Sequence, residues 1–235
     1  MDIDGWSSLR PTKIEVCASV SLYSNMLIKM YSKIAYEFSK TRTRPWRCVE
    51  TFLASHPAST LLDAGCGNGR NLAAADVAGF DAEGFDVCPE FVNICRSRKL
   101  NAFVGDIESP TNPITKTYDA VICIAMLHHL RTHELRQLAL QRLFDALNPG
   151  GTLLFTVWSF EVDGARFPKI FTIGDNIVPW KSLQGGESKA DRYYYIYDRP
   201  HLDAFLEVFR SHNPYSDISI SWEEQNWNVE IKKHK

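Results

Sequence analysis

The chain lacks any apolar run near the roughly 18 residues that a membrane-spanning helix needs, so no membrane anchor is expected. It also lacks a basic, apolar leader. Asp2 and Asp4 precede the one early arginine, Arg10, which fits neither a secretory signal nor a transit peptide. A cytoplasmic or nuclear location is the resulting expectation. None of the cysteines at 17, 48, 66, 88, 95 and 123 forms a C-x-x-C pair. Reduced, mostly buried thiols are therefore expected, and no bound metal. An excess of positive charge is missing as well: the formal net charge is −2. A protein that grips nucleic acid unaided is usually basic, at least locally. Here basic residues gather only around Lys40, Arg42, Arg44 and Arg47, and in the tail at Lys232, Lys233 and Lys235. That argues against a self-sufficient nucleic-acid binder and leaves room for one helped by a partner. Internal repeats and signs of a second domain are absent.

What is present is an alternation. With 235 residues, 45% of them hydrophobic, the chain can bury the core of one large domain. Residues 1–24 show no clear periodicity and read as a loose segment. From Leu27, Met30, Tyr31, Ile34, Ala35 and Phe38 follow helical spacing, and Pro45 is placed to open a second helix that Pro57 closes. Strands then read at 60–63, 82–87, 102–104, 120–124 and 152–158, with helices at 70–78 and 89–99. A third helix of this series is capped by Thr132 and stopped by Pro149-Gly150-Gly151. Residues 159–192 read as an irregular substrate loop. A helix at 200–211 and a hairpin pairing 218–222 with 227–231 complete the order. Strand–helix repeats imply a parallel sheet with helices on both faces. The expectation is a class I, Rossmann-like α/β methyltransferase fold: one domain over 25–235, with a seven-stranded, mostly parallel sheet and a terminal antiparallel hairpin. Its helices over 25–56 would form part of the substrate site.

The strongest motif is Asp63-Ala64-Gly65-Cys66-Gly67-Asn68-Gly69. Its D-x-G-x-G-x-G spacing differs from the G-x-G-x-x-G turn of pyrophosphate binders. Gly65 and Gly67 let a ligand approach the backbone closely. Asp63 suits the cationic amino-acid end of S-adenosylmethionine, whereas a carboxylate there would repel a diphosphate. Asp86 ends the second strand beside Val87, where a carboxylate can accept both ribose hydroxyls. Asp106 follows the third strand, where it can accept from an adenine amino group while Ile107 packs on the ring. Ile124 ends strand four on the same edge. A lone aspartate at a strand end is as often a turn cap as a ligand; three in register with a glycine turn are not.

Strand four leads into Met126-Leu127-His128-His129. Either histidine could act as a base, orient an acceptor, or only hydrogen-bond to its loop. This pair occurs in many small-molecule enzymes of the fold and leaves the acceptor open. The stretch from Tyr31 through Phe38-Ser39-Lys40-Thr41-Arg42-Thr43-Arg44-Pro45-Trp46 is more specific. Taken with Asp63 to Gly69, Ile124 to His129 and Val178-Pro179-Trp180, it resembles the tRNA carboxymethyluridine methyltransferases, a family that includes the methyltransferase domain of the AlkB-like tRNA enzyme. The resemblance covers about 31–209. It implies methyl esterification of a carboxymethyl group on the wobble uridine of a tRNA anticodon loop, with S-adenosylmethionine as cofactor. It also implies a small zinc-binding activator subunit docked near strand three.

A carboxylate acceptor is already anionic at pH 7 and needs no base. It does need a planar cation to hold it, which favours Arg42 as carboxylate or phosphate anchor. His128 or His129 would line the acceptor pocket. Tyr31, Arg44, Trp46, Trp158 and Trp180 complete the expected substrate set, with the tryptophans stacking on bases. Arg70-Asn71 departs from the lysine and aromatic residue that the family pattern leads one to expect. Two other readings stand: a small-molecule O-methyltransferase of the same fold, and an inactive methyltransferase-like binding subunit.

Overall fold

A computed structural model describes residues 13–57, 59–161, 171–180 and 190–235. Helix α1 (Lys13–Thr41) and helix α2 (Arg47–Ser55) lead into the alternating part. That part runs β1 (Thr60–Ala64), α3 (Arg70–Val77), β2 (Asp81–Asp86), α4 (Pro89–Ser97), β3 (Ala102–Val104) and β4 (Tyr118–Ile124). A 3-10 turn at Leu127–His129, α5 (His133–Asp145) and β5 (Leu147–Trp158) follow. The chain closes with β6 (Gly174–Trp180), β7 (Ala190–Ile196), α6 (Arg199–His212), β8 (Ser216–Glu223) and β9 (Asn226–Lys233).

Seven strands form one sheet in the order β3-β2-β1-β4-β5-β9-β8. Its first five members pair in parallel, while β9 lies antiparallel to β5 and β8 antiparallel to β9. The period-2 geometry of a strand explains the layers. Leu62, Val121, Cys123, Leu153 and Phe155 point to the core shared with α5 and α6. Their neighbours Leu61, Ala120, Ile122 and Leu154 point to the opposite core, against Val49, Phe52 and Leu53 of α2. Both faces are covered, so the strands read as near-continuous apolar runs. Thr132 caps α5 through its side chain, which accepts from the Leu135 amide, and Asp198 caps α6 in the same way.

Several sequence expectations need correction. Helix α1 begins at Lys13, so residues 13–24 are helical where a loose segment was expected; 1–12 lie outside the described residues. No glycine or proline interrupts the chain between Pro11 and Pro45, and uninterrupted helix formers propagate beyond the clear apolar stripe. Helix α2 starts two residues after Pro45, with Trp46 as its N-cap. Strand β5 begins at Leu147 because the Gly150-Gly151 pair stays in the sheet through a register shift. A side chain on Gly151 would press within 2.9 Å of the Asp119 carbonyl. The segment 159–192 holds strand β6 and the start of β7, which pair as an antiparallel two-stranded sheet. Val178, Tyr194 and Ile196 give this hairpin a small core that packs on Trp158, Phe160 and Phe171. Residues 162–170 and 181–189 of the expected loop lie outside the described residues.

Among the described residues, no helix is long and apolar enough to cross a membrane. Cys66, Cys88, Cys95 and Cys123 are free and buried, and Cys48 is free and half-buried.

Candidate active site

The parallel strands end together at one sheet edge, and there the chain encloses a cavity of about 300 Å³. Its floor is the turn after β1. Gly65, Gly67 and Gly69 all take positive φ, at 74°, 52° and 77°. At Gly65 a Cβ would meet the Met126 side chain at 2.7 Å, whereas at Gly67 it would meet nothing within 4 Å. The turn is thus pressed against the β4 exit on one side and bare towards the cavity on the other. Asp86 buttresses it from β2: its carboxylate accepts from the Gly67 amide and the Cys88 amide, both at 2.9 Å.

The acidic residues differ in their surroundings. Asp86 borders the cavity, and burial pushes its pKa up to about 6 against the pull of those two amides. Asp106 also borders it, with Oδ1 accepting from the Glu108 amide at 2.8 Å. The loop that carries Asp106 and Ile107 is held from α5 by Arg142, which donates to the Ile107 carbonyl at 2.6 Å and the Ser109 carbonyl at 2.7 Å. Asp63 does not border the cavity; it lies at the end of β1, fully buried, and neither carboxylate oxygen finds a hydrogen-bond partner. Burial and then the Asp86 charge raise its pKa to about 7, opposed by Arg70 and by the nearby Leu72 amide, which stands outside good hydrogen-bond geometry. A buried carboxylate left without donors costs stability until a cationic group comes near. Cys66, Asn68, Val87, Ile107 and Ile124 line the same space, while Gly69 lies beside it as the N-cap of α3.

These residues fit S-adenosylmethionine. Asp86 keeps lone pairs for a ribose diol, Asp106 keeps an oxygen for an adenine amino group, and Asp63, only partly compensated by Arg70, would attract an α-ammonium across the glycine turn.

The other half of the cavity is built by α1, the β4 exit and β7. Ala125 leaves β4 with φ 56°, a strained value for a residue with a Cβ, and its amide is held by the Thr156 hydroxyl at 2.9 Å. This kink starts the turn that presents His129. Its Nδ1 donates to the Tyr193 carbonyl at 2.9 Å, which leaves Nε2 to accept from the Tyr31 hydroxyl at 3.0 Å. Burial, then the nearby Arg192 charge, press the His129 pKa down to about 4, so the ring is neutral at pH 7. His128 corrects the expectation: it is fully buried, does not border the cavity, and stacks on Tyr194 at 4.8 Å while its Nδ1 accepts from the Trp158 amide. Its place one residue earlier on the turn aims it into the core.

Arg42 lines the cavity with its guanidinium over Phe38 at 4.3 Å and Trp180 at 4.8 Å. Arg192 on β7 approaches the same indole at 5.2 Å and lies 5.1 Å from the Tyr194 ring. It donates to the Tyr194 hydroxyl at 2.7 Å, and its Nε has no partner although the residue is buried. Neither arginine is ion-paired with a carboxylate of the described residues; burial, then the Arg192 charge, lowers the Arg42 pKa. Sequence reasoning missed Arg192 because residues 159–192 read as loop, and Tyr194 because residues 193–199 were assigned to no element. The tyrosine-rich, strand-favouring run at 193–197 was the available signal.

The remaining expected residues divide. Tyr31, Trp46 and Trp158 border the cavity, and Trp46 lies under the Arg70 guanidinium at 5.1 Å. Trp180 is buried behind the arginines and does not line the cavity, so it backs cations where base stacking was expected. Arg44 is exposed and lies away from the cavity, because the chain turns outward between α1 and α2. Among the described residues no group of three His, Cys, Asp or Glu side chains is arranged to hold a metal.

Comparison with known proteins agrees with this geometry. Residues 38–203 match a family model described as a methyltransferase domain. A Xenopus tropicalis protein named tRNA (carboxymethyluridine(34)-5-O)-methyltransferase alkbh8 is 42% identical over 64% of the chain, and the match spans 24% of that protein. An Arabidopsis thaliana tRNA (carboxymethyluridine(34)-5-O)-methyltransferase is 38% identical over 57% of the chain and 32% of its own length. The Schizosaccharomyces pombe protein of that name is 28% identical over 90% of the chain and 98% of its own length. The chain thus spans about a quarter to a third of the first two relatives, and nearly all of the third. The CcbJ methyltransferase of Streptomyces caelestis superposes with a TM-score of 0.66 at 12% identity, over 89% of this chain and 98% of that one. A Burkholderia thailandensis N-methyltransferase solved with S-adenosylhomocysteine gives 0.58 at 17% identity, over 93% and 89%. Such distant likenesses carry the fold alone.

Proposed function

The chain belongs to the methyltransferase-domain family, and from that premise we propose that it esterifies the carboxylate of a 5-carboxymethyluridine at the wobble position of tRNA. The observation that carries the reading is the pair Arg42 and Arg192: two guanidinium groups on one cavity, backed by one indole and lacking a carboxylate partner among the described residues. A phenol or amine acceptor must lose a proton and needs a base. A carboxylate acceptor needs cations, and the only imidazole on this cavity, among the described residues, is held neutral with Nε2 occupied.

Bound S-adenosylmethionine supplies a methyl group activated by a positively charged sulfur. The residues of this chain do the rest. The arginine pair would hold the anionic acceptor so that its carboxylate faces the cofactor with one oxygen free. Trp158, Met126 and Ile124 exclude water from the line of transfer. Esterification of a carboxylate by a sulfonium methyl donor cancels one negative and one positive charge, so the water exclusion by these side chains would favour it. Trp158, partly exposed at the cavity and tilted 36° against Tyr194 with ring centroids 4.2 Å apart, supplies a face for the uracil. The edge strand β3 pairs with β2 on one side only, and Val104 is exposed on it. An open edge beside the Asp106 loop supports a small zinc-binding activator adding a strand there. The cytoplasm, where mature tRNA is met, is the proposed location.

The test is transfer of label from S-adenosylmethionine to an anticodon stem-loop carrying 5-carboxymethyluridine, with and without the zinc-binding partner. A base-labile methyl ester on that nucleotide is expected. Cofactor binding without any ester, with the partner present, overturns the reading in favour of a small acid or phenol.

A further inference from the structure

We propose that the two arginines divide the nucleotide between them: Arg192 takes the acceptor carboxylate, and Arg42 takes the phosphate on the 5′ side of the same uridine. This rests on the tRNA reading above and assigns the contacts within it.

The two guanidinium groups occupy unlike places. Arg192 is 7% exposed, oriented by the Trp180 and Tyr194 rings, and tied through one nitrogen to the Tyr194 hydroxyl. Its Nε is buried with nothing to bind. A buried donor of that kind is a standing cost that a ligand oxygen removes, and the interaction is strong because water is excluded. Arg42 is half-buried just past the end of α1, bonded to the Thr41 hydroxyl at 2.6 Å and followed by exposed Thr43 and Arg44. It faces the outside of the cavity as well as the inside. A phosphodiester, which stays hydrated on one side, suits that position better than a carboxylate that must be stripped of water.

Charge balance points the same way. One carboxylate neutralises one guanidinium, and Arg42, destabilised as a cation by burial and then by the Arg192 charge, is left needing an anion of its own. A 5-carboxymethyl nucleotide brings two anions. In the usual anti conformation the C5 edge of a pyrimidine faces its own 5′-phosphate, so both anions arrive on one side. Two adjacent arginines can then hold one each.

The experiment measures binding of three anticodon stem-loops to the full chain saturated with S-adenosylhomocysteine. One carries 5-carboxymethyluridine, one the uncharged 5-carbamoylmethyluridine, and one plain uridine, each titrated over a range of KCl. The native protein is expected to prefer acid over amide about tenfold or more. Arg192→Gln is expected to bring that ratio close to one and to leave the salt dependence unchanged. Arg42→Gln is expected to keep the ratio and to flatten log K against log[salt] by about 0.7, the value of one single-strand phosphate. Unchanged S-adenosylhomocysteine affinity shows that a variant is folded. If Arg192→Gln fails that check, Arg192→Lys carries the test, with an acid preference expected between native and one. An acid-to-amide ratio untouched at position 192, or abolished at position 42, overturns the division. A native protein that does not distinguish 5-carboxymethyluridine from uridine and forms no ester fails the tRNA reading itself.

Discussion

The Tyr31 hydroxyl lies 3.0 Å from Nε2 of His129, joining the first helix to the exit of the fourth strand across 98 residues of sequence. Because Nδ1 must donate to the Tyr193 carbonyl, the tyrosine is the donor and the imidazole the acceptor. With its pKa near 4, the ring holds this tautomer throughout the neutral range.

A flat pH–rate profile follows for a carboxylate acceptor, since both that acid and His129 titrate well below neutrality. With S-adenosylmethionine saturating at each pH, so that titration of Asp63 and Asp86 in the empty site does not enter, the single-turnover rate is expected to vary less than about twofold between pH 6 and 8. A rise with a midpoint near 6.5 would mark a histidine base and a phenolic or amine acceptor. Stability depends on this ring too: its folded pKa lies below the unfolded value of about 6.5. Between pH 6.5 and 4 the unfolded chain therefore binds the extra proton, and stability is lost as pH falls through that window. Urea unfolding of His129→Gln beside the native protein at pH 7 and 5 isolates the contribution.

Asp63 has the opposite sign. Its folded pKa of about 7 lies above the unfolded value, so the folded state holds the extra proton and stability falls as pH rises from 4 to 7. Asp63→Asn is expected to make the ligand-free protein more stable at pH 8, by on the order of 1–3 kcal/mol, and to weaken S-adenosylhomocysteine roughly tenfold. Urea unfolding and calorimetry read the two effects. A variant less stable than the native protein at pH 8 contradicts the unpartnered carboxylate.

Arg142→Ala removes the donors that hold the Ile107 and Ser109 carbonyls and leaves the Asp106 loop unsupported from α5. Affinity for 5′-methylthioadenosine, which has no amino-acid end, is expected to fall about as much as that for S-adenosylhomocysteine, roughly tenfold in each case. Loss confined to S-adenosylhomocysteine would place the effect at the other end of the cofactor.

Ala125→Gly relieves a positive φ at the β4 exit. The change is expected to raise stability by about 1 kcal/mol and to slow transfer several-fold, because the same kink aims His129 and Met126. Thermal unfolding and the single-turnover rate give the two numbers; a rise in both would show the strain to be idle.

Local rules acting on contiguous residues determined much of this protein. Apolar runs bounded by glycine and proline made the strands legible, Thr132 announced the start of α5, and D-x-G-x-G-x-G defined a turn with left-handed glycines. Asp86 and Asp106 could be placed because a parallel βα repeat puts every strand end on one edge. Tertiary structure decided what depends on which distant surfaces meet. It turned His128 inward and His129 outward, a difference of one residue that no periodicity in a three-residue turn can express. It put Trp180 behind the arginines and sent Arg44 out to solvent. Above all it brought Arg192, from a segment that reads as loop, to within reach of Arg42, 150 positions earlier. The strand that carries Arg192 exists because β6 pairs with it and Tyr194 and Ile196 find a core under Trp158. Pairing energy and burial of that kind belong to the folded chain, and neither is written in the segment alone.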